Sequence, residues 1–421
     1  MKLHDFIIEY TEERGKLLYN PLTEAVLFFP EQQEIKEENM DQEAIAYLKE
    51  HFFINQGDSS TRFGTVMYDR IKYSNKKISL IIHTNYTCNS ECIYCYQKGI
   101  TEEKLVINQK TIEQFHAFFE RIKKNNNLEV VDLCFIGGEP LLCSREVQQI
   151  YDIACKVFKN LKITTSIITN GTLVLKEIGL LDSIRFDCIQ VTLDGGEITH
   201  NKLRRSRDKN DSYRGIVKKL FELQKRGDYN VVINCNLSPQ SEQSVDELIK
   251  DLQEQNIKYP LIFSLVFSGS QNNCKNTVIS SIRQEKSWVN AHIHAMNFGY
   301  TFQPFYRNPH FSCGLFKENS FWIAPDGMIY KCISGISLDE YKVCHISEYG
   351  SQKYINHVSQ FTEAQKQCEK SENGDCKYRL VCDGGCFFKN QQEGWRCSKN
   401  QIANGDLKVL YETVCRGCRK G

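Results

Sequence analysis

The 421-residue sequence predicts an α/β fold built on a parallel sheet, with a small α+β unit before the sheet and a cysteine-rich region after it. Between about residues 77 and 267, near-continuous apolar runs of strand length alternate with amphipathic helical segments. Strands buried on both faces and joined by helices are typical of parallel sheets with right-handed crossovers. After about residue 305 the runs give way to Gly, Asn, Lys and Cys, so that region is expected to need metal to fold.

The first 76 residues are predicted to form the small α+β unit. Three segments have the pattern of strands: Asp5–Thr11, Lys16–Asn20 and Glu24–Pro30. A helix is expected over Asp41–Phe52, because apolar residues recur there at helical spacing and Asp41 can cap the first turn. The polar run Glu31–Met40 is predicted to be an exposed loop.

Six apolar runs define the predicted central sheet. They are Ile78–His83, Val130–Ile136, Thr164–Thr169, Cys188–Leu193, Val231–Leu237 and Leu261–Phe267. The intervening helices have apolar stripes that begin at Ile112, Val147, Ile216 and Val245, and Gly227 is expected to end the third. Six such strands fit either an open doubly wound sheet or an incomplete barrel, and in both the active groups gather at the carboxyl ends of the strands.

Charge and hydropathy exclude two classes of partner. Lys and Arg number 53 and Asp and Glu 52, which leaves a formal charge of +1 and no strong field to attract nucleic acid. No signal peptide is expected, and the longest apolar runs, such as Ile78–Ile82, are far shorter than the roughly 20 residues that cross a bilayer. We therefore expect a cytoplasmic protein without a nucleic-acid or membrane partner.

The nineteen cysteines are unusual for such a protein. Because the cytosol is reducing and their number is odd, clustered cysteines are expected to bind metal rather than to form disulfides. Three lie at 88–95 and ten lie between Cys313 and Cys418. The other six are interpreted as small buried hydrophobic residues: Cys134, Cys143, Cys155, Cys188, Cys235 and Cys274.

Cys88, Cys92 and Cys95 follow the first strand of the sheet, with the spacing Cys-x3-Cys-x2-Cys. Three thiolates on one tight loop can each bind one iron of a 4Fe–4S cubane, which leaves the fourth iron open to a substrate or cofactor. The alternative is a zinc site, which normally needs four ligands and for which His83 is the candidate fourth.

This cysteine loop, with Tyr94 before its last cysteine, resembles the signature of the radical S-adenosylmethionine (radical SAM) superfamily. Gly137-Gly138-Glu139-Pro140, after the second strand, resembles the family's GGEP motif. The resemblance implies a partial (β/α)6 barrel, a 4Fe–4S cluster, and S-adenosylmethionine whose methionyl amino group lies at the glycine turn. Consecutive glycines suit that role, because they let the backbone approach a ligand closely.

Two further strand ends match the family. Thr169-Asn170-Gly171 resembles its ribose-contacting turn, although an ordinary turn is an equal interpretation. Thr192-Leu-Asp194-Gly195, followed by His200 and Arg204, resembles its Ser-Leu-Asp-Gly pattern with threonine in place of serine. The resemblance implies that Thr192 and Arg204 bind the methionyl carboxylate. The alternative is that Arg204 belongs to a solvated basic stretch.

The C-terminal cysteines resemble the SPASM domain, which carries two auxiliary 4Fe–4S clusters in many peptide-modifying radical enzymes. By that scheme, one cluster is held by Cys313, Cys332 and Cys386, with Cys344 or a substrate thiolate completing it, and the other by Cys368, Cys376, Cys382 and Cys415. The chain departs from the pattern at Asn373, where the family has a cysteine, and the last ligand is ambiguous among Cys397, Cys415 and Cys418. A zinc ribbon is the alternative for this region.

Together these matches predict three domains: residues 1–76, which would recognise a leader peptide, the radical SAM domain 77–305 and the SPASM domain 306–421. The predicted function is reductive cleavage of S-adenosylmethionine to a 5′-deoxyadenosyl radical, used to cross-link a ribosomal precursor peptide. A Cys thioether is the favoured bond, and a C–C or C–O cross-link on the same machinery is the alternative. An external flavodoxin- or ferredoxin-type electron donor is expected. Sulfatase maturation is an alternative, but those enzymes have Asp after the second SPASM cysteine, where this chain has Ile333. A zinc-dependent, non-enzymatic binding protein is the alternative of another class.

Overall fold

The computed structural model describes most of the central region and parts of both ends of the chain. The described residues are 3–4, 6–30, 40–54, 66, 69–70, 73–97, 105–125, 127–206, 213–227, 229–266, 278, 281–300, 313–363, 378, 381, 386–388, 391 and 405–417. They belong to two compact units. The first comprises Met1–Ser74, Gln303–Glu318 and Phe361–Gly421, and the second comprises Asn75–Phe302 and Asn319–Gln360.

The first unit contains a three-stranded antiparallel sheet in the order β1-β2-β3, formed by Ile8–Glu12, Gly15–Tyr19 and Val26–Pro30. All three strands were predicted, with boundaries that differ by a few residues. The predicted helix is Gln42–Glu50, and the carboxylate of Asp41 accepts a hydrogen bond from the Ala44 N–H at 2.7 Å, as expected of its cap. Residues 31–39 of the predicted loop lie outside the described residues.

Both faces of this small sheet are covered. On one face Leu18 packs with Leu48 and Phe53. On the other, Leu17 packs with Leu410 and Tyr411 of the helix Leu407–Gly417. The N-terminal strands and the C-terminal helix therefore share one hydrophobic core. The predicted domain boundaries at residues 76 and 305 assign these strands and this helix to different domains.

The second unit is built on a nine-stranded sheet in the order β11-β10-β8-β7-β6-β4-β12-β13-β14. Two short strands, β5 (Ser90–Cys92) and β9 (Arg204–Ser206), pair separately with each other. The strands of the large sheet are β4 (Lys77–His83), β6 (Val130–Ile136), β7 (Lys162–Thr169), β8 (Cys188–Thr192), β10 (Val231–Leu237), β11 (Leu261–Leu265), β12 (Ser320–Ile323), β13 (Met328–Tyr330) and β14 (Lys342–His345).

All six predicted central strands are present and pair in parallel, which confirms the α/β prediction. The large sheet ends at β11 on one side and β14 on the other, so it is open and not a closed barrel. The hairpin that the SPASM resemblance implies around Ala324–Gly327 is formed by β12 and β13, but the parallel pairing of β12 with β4, which makes it a seventh parallel strand, was not predicted. Its four residues lie in a region whose overall composition gave no sign of a core.

The helices between the strands bury the stripes that the sequence predicted; in the segment Ser144–Val157, for example, Val147, Ile150, Ala154 and Val157 are all buried. The longer helices are Gln109–Asn125, Ser144–Val157, Tyr213–Arg226, Val245–Glu254, Ser281–Asn297 and Gln352–Glu363. Shorter ones are Ile178–Ile184, Glu197–Leu203 and Pro239–Glu242. Within the described residues, none of the helices is both long and apolar enough to cross a membrane.

Strand β12, whose pairing with β4 was not predicted, provides a test of the fold. Phe321 is fully buried and its ring contacts Tyr349 and Tyr354. Phe321→Ala should lower the free energy of unfolding by about 3–5 kcal/mol, because it removes a buried aromatic ring and leaves a cavity. Urea unfolding measures this, with the half-exposed Ile355→Ala as control. A loss equal to that of the control would contradict the placement of β12 in the core.

Candidate active site

A cavity of about 820 Å³ lies in the second unit, at the carboxyl ends of the parallel strands. Its volume is typical of sites for small molecules and cofactors. The cysteine loop forms one wall of the cavity. Residues at five strand ends also line it: Gly137 and Gly138 after β6, Thr169 and Asn170 at β7, Thr192 at β8, Asn236 in β10, and Val266 after β11.

The cysteine loop is held by the strand pair β5–β9. Their antiparallel register places Cys92 directly opposite Arg204. The hydrogen bond from Ile93 N–H to Leu203 O, at 2.9 Å, extends this pairing, and Cys95 N–H donates to Cys92 O at 3.2 Å. The backbone therefore brings the cysteines predicted to bind the cluster and Arg204, which is predicted to bind a carboxylate, to one cavity. In the sequence, Cys92 and Arg204 are more than 100 residues apart.

Cys88, Cys92 and Cys95 all line the cavity. Burial raises the pKa of Cys88 to about 11 and that of Cys95 to about 12, and the charge of Cys92 adds to both shifts. The free thiols are therefore neutral, and iron would have to displace their protons. Among the described residues no three His, Cys, Asp or Glu side chains could hold one metal ion. Three thiols that bind three different irons need not converge on one point, so this cysteine set fits a cubane.

Gly137 and Gly138 allow the turn after β6 to pack directly against the cysteine loop. A Cβ atom at Gly138 would lie 2.2 Å from Thr87 O, and one at Gly137 would lie 2.6 Å from Asn85 O. The Gly138 N–H donates to Asn85 O at 3.0 Å, and the Glu139 N–H donates to Thr87 O at 2.9 Å. The N–H groups of this turn are therefore used within the protein.

Glu139 joins two of the strand ends. Its fully buried carboxylate accepts hydrogen bonds from Thr169 Oγ1 at 2.7 Å, from Asn170 N at 2.8 Å and from Leu141 N at 3.1 Å. Burial raises the pKa of Glu139, and these hydrogen bonds oppose the rise. Pro140 begins the short 3-10 turn Pro140–Cys143, for which Glu139 is the cap. The contacts of Glu139 are therefore with the protein's own turns, a role that sequence analysis missed.

Asn170 connects the turn after β7 to the cysteine loop. Its side-chain oxygen accepts hydrogen bonds from Thr172, and its amide nitrogen donates to Asn89 Oδ1 at 2.7 Å and to Ser90 Oγ at 3.3 Å. The same nitrogen lies 3.9 Å from the sulfur of Cys88. Asn170 therefore both lines the cavity and supports the loop that carries the thiols.

Tyr94, Asp194 and Arg204 form a buried polar cluster beside Cys92. The Tyr94 hydroxyl donates to Asp194 Oδ2 and accepts from Arg204 Nη1 at 2.8 Å. Arg204 Nη1 also lies 3.6 Å from Asp194 Oδ2. Burial acts to lower the pKa of Arg204, but the neighbouring Cys92, Tyr94 and Asp194 outweigh it, and the pKa is raised. Arg204 is therefore a permanent cation at the cavity and not part of a solvated stretch.

Three residues near this cluster were not singled out as site residues: Asn234, Asn236 and His200. Asn236 donates its N–H to Asp194 Oδ1 at 2.8 Å and its side-chain amide to the Tyr94 hydroxyl at 3.3 Å. Asn234 and Asn236 alternate within the otherwise apolar β10 and both line the cavity, a pattern that was visible in the sequence.

His200 accepts from the Asp194 N–H at 3.1 Å through Nδ1, and burial lowers the pKa of His200 to about 3, so its ring is neutral.

The predicted auxiliary-cluster ligands are only partly described. Cys313, Cys386 and Cys415 belong to the first unit, and Cys332 and Cys344 to the second. Cys344 is fully buried in β14, and burial raises its pKa to about 12. Cys415 is buried in the core formed with Tyr411. The other candidates lie outside the described residues: Cys368, Cys376, Cys382, Cys397 and Cys418.

The glycine turn can be tested with a matched pair of variants. Gly138→Ala should lower the free energy of unfolding by roughly 1–3 kcal/mol, because its methyl group meets the backbone of the cysteine loop. Gly179→Ala has open space around its Cβ in the helix Ile178–Ile184 and should be neutral or stabilising by up to about 1 kcal/mol. Denaturant unfolding compares the two, and equal stabilities would contradict the close packing.

His83, the alternative zinc ligand, gives a pH prediction. It is fully buried, does not line the cavity, and its pKa is lowered by burial to about 3. The unfolded chain binds a proton below pH 6.5 that the folded chain does not bind until about pH 3. Its contribution to stability is therefore complete above pH 6.5 and falls on acidification, by up to about 1.4 kcal/mol per pH unit.

Between pH 6.5 and 4.5, the free energy of unfolding should therefore fall less steeply with decreasing pH in His83→Asn than in the wild type. The difference in slope should correspond to the uptake of about one proton on unfolding. Urea unfolding at several pH values measures the slope, with His116→Asn, on an exposed helix face, as control. An unchanged slope in His83→Asn would show that His83 is protonated in the folded state.

Comparison with known proteins agrees with this geometry. Residues 81–252 match the model of the Radical SAM superfamily. The cysteine-type anaerobic sulfatase-maturating enzyme of Clostridium perfringens (strain 13 / Type A) is 22% identical over 351 residues, covering 77% of this chain and 90% of that protein.

Two groups of solved structures have a similar fold. Native anSMEcpe with bound AdoMet has a TM-score of 0.61 and 20% identity, covering 80% of this chain and 97% of the other. Streptococcus suis SuiB bound to its precursor peptide SuiA has a TM-score of 0.54 and 15% identity, covering 93% and 97%. The cysteine loop thus lies at the carboxyl ends of an open parallel sheet, within the residues 81–252 that match the Radical SAM superfamily.

Proposed function

We propose that this chain is a peptide maturase in which Cys88, Cys92 and Cys95 hold a 4Fe–4S cluster and the adjoining cavity binds S-adenosylmethionine. The observation that carries the proposal is the pairing of β5 with β9, which places three thiols and the buried cation Arg204 on one cavity. When bound, the cluster and S-adenosylmethionine would supply an electron and a 5′-deoxyadenosyl radical that removes a hydrogen atom from an unactivated C–H bond.

The cavity walls offer complementary groups for the amino acid part of S-adenosylmethionine. Arg204 can present its planar guanidinium to a carboxylate, and the Thr192 hydroxyl lies on the same cavity. The carbonyl groups of Gly137 and Gly138 are acceptors for an ammonium group. Three protein thiols leave one iron of a cubane without a protein ligand, and that is where the amino acid part would bind.

The rest of the cavity is suited to excluding water. Ile81, Ile168, Trp322 and Ile333 line it with apolar surface. Neutral polar side chains also line it, such as Asn234, whose side-chain oxygen accepts a hydrogen bond from Ser264 at 2.7 Å. A dry cavity protects a reactive radical from side reactions.

A peptide substrate is supported by the relatives and by the first unit. SuiB is described with a bound precursor peptide, and its fold covers most of this chain. The sheet β1-β2-β3 has edge strands at β1 and β3, and an extended leader peptide can bind to such an edge by strand addition. Two auxiliary clusters of the SPASM type and an external flavodoxin- or ferredoxin-type electron donor complete the proposal.

Thioether formation is the favoured reaction, and the position after Cys332 is the reason. Ile333 lines the cavity where sulfatase maturases have an aspartate that acts as base. Among the described residues that line the cavity, the only carboxylate is Glu91, which is solvent-exposed. Sulfatase maturation is the second candidate, because of the similarity to the clostridial enzyme over most of both chains.

Metal content tests the first part of the proposal. Protein isolated without oxygen should contain iron and acid-labile sulfide, and Cys92→Ala should lose the share that belongs to one cluster, because two thiols hold a cubane poorly. Cys155→Ala, a cysteine on a helix away from the cavity, is the matched control. Zinc without iron in the wild type would overturn the proposal.

Product mass tests the second part. Incubation with S-adenosylmethionine, a reductant and a cysteine-bearing peptide encoded beside the gene should give a product two hydrogen atoms lighter and with one thiol fewer. This is the balance for joining a cysteine sulfur to a carbon. Conversion of a cysteine to formylglycine would instead establish the sulfatase-maturase alternative, and a product that keeps all its thiols would refute the thioether.

A further inference from the structure

We infer that the hydroxyl group of Tyr94 is a positioning group, which holds Arg204 in the orientation that receives the carboxylate of S-adenosylmethionine. The inference rests on the proposed function in one respect, that S-adenosylmethionine is the ligand of the cavity. It assigns to the aromatic residue of the cysteine loop a polar role that a phenylalanine at the same position could not fill.

The hydrogen bonds of the hydroxyl carry the inference. It donates to Asp194 Oδ2 and accepts from Arg204 Nη1 at 2.8 Å and from Asn236 Nδ2 at 3.3 Å. A tyrosine hydroxyl has one donor and two acceptor positions, so this one is fully used. Arg204 lies in β9 and Asn236 in β10, Asp194 follows β8, and Tyr94 itself follows β5. One oxygen atom thus fixes four segments of the chain relative to each other.

Asp194 would otherwise attract Arg204 away from the cavity. Its carboxylate is completely buried and lies 3.6 Å from Arg204 Nη1, beyond a direct hydrogen bond. The backbone N–H of Asn236 and the ring of His200 fix the aspartate in place. The Tyr94 hydroxyl lies between the two charged groups and forms a hydrogen bond with each. The charge of Arg204 is therefore balanced by Asp194 without a direct hydrogen bond between the two side chains.

This arrangement leaves most of the guanidinium available. Within the part of the chain that the structure describes, Nη1 is the only guanidinium nitrogen of Arg204 that makes a hydrogen bond or ion pair. Nε and Nη2 remain as donors on a side chain that lines the cavity. Without the hydroxyl, the guanidinium group of Arg204 can rotate to form a bidentate ion pair with Asp194, because this is the favoured geometry with a carboxylate. The cavity would then lose its carboxylate donor, while the thiols would stay in place.

The test compares two ligands on the anaerobic holoenzyme in its oxidised state, in which no turnover occurs. Calorimetric titration gives the dissociation constants of S-adenosylmethionine and of decarboxylated S-adenosylmethionine, which lacks the carboxylate. Tyr94→Phe should weaken binding of S-adenosylmethionine by roughly tenfold and leave binding of the decarboxylated ligand within about twofold. Iron content should equal that of the wild type.

Tyr229→Phe is the matched control, since the Tyr229 hydroxyl also donates to an aspartate, Asp182, at 2.5 Å but lies away from the cavity. Asn236→Ala removes one side-chain donor to the Tyr94 hydroxyl and should give a smaller loss with the same selectivity for the carboxylate.

Equal weakening of both ligands, no weakening, or loss of iron in Tyr94→Phe would overturn the positioning role, and Asn236→Ala decides the case if Tyr94→Phe does not fold. Failure of the proposed function has a different signature. In that case the wild-type holoenzyme itself would bind neither ligand.

Discussion

The antiparallel pairing of β5 with β9 is the constraint on which the site depends. Ser90–Cys92 of the cysteine loop pair with Arg204–Ser206, and the Ile93 N–H donates to Leu203 O, so four consecutive residues of the loop are fixed to residues 203–206. Because Cys92 lies opposite Arg204, any movement of one moves the other. The thiols proposed to bind a cluster and the cation proposed to bind a carboxylate are therefore held close together by backbone pairing, which is the sense in which such a site is preorganised.

The parallel sheet supplies the second level of order. Its strands all end at the cavity, and the turns that follow them are bonded to each other more than to solvent. Glu139 is the clearest case, since its buried carboxylate receives hydrogen bonds from the turn after β7 and caps the turn after β6. Gly138 then lets that turn contact the cysteine loop. The residues of the Gly-Gly-Glu-Pro motif thus also determine how these turns pack.

The sequence predicted those parts of the molecule that depend on local pattern. The six central strands are apolar runs, Asp41 is a helix cap three residues before its partner N–H, and the thiols of the cysteine loop lie within eight residues of each other. Each follows from hydrophobic periodicity, capping or spacing alone.

What the sequence did not predict depends on contacts between distant segments. Strand β12 has four residues, and its place in the large sheet becomes recognisable only through its pairing with β4. The helix Leu407–Gly417 covers a sheet that lies near the other end of the chain. The hydrogen bonds of Tyr94 with Asp194 and Asn236 join residues 100 or more positions apart. No local propensity encodes such partners, so only the fold reveals them.

The central claim is that the cysteine loop holds a cluster whose open iron faces the ligand of this cavity. Electron paramagnetic resonance of the anaerobic protein, reduced by one electron, tests it most directly. The account predicts the signal of a reduced 4Fe–4S cluster, and part of this signal should change when S-adenosylmethionine is added. A Cys88→Ala variant should lack the part that responds to S-adenosylmethionine. A signal that S-adenosylmethionine leaves unchanged, or one that Cys88→Ala retains in full, would contradict it.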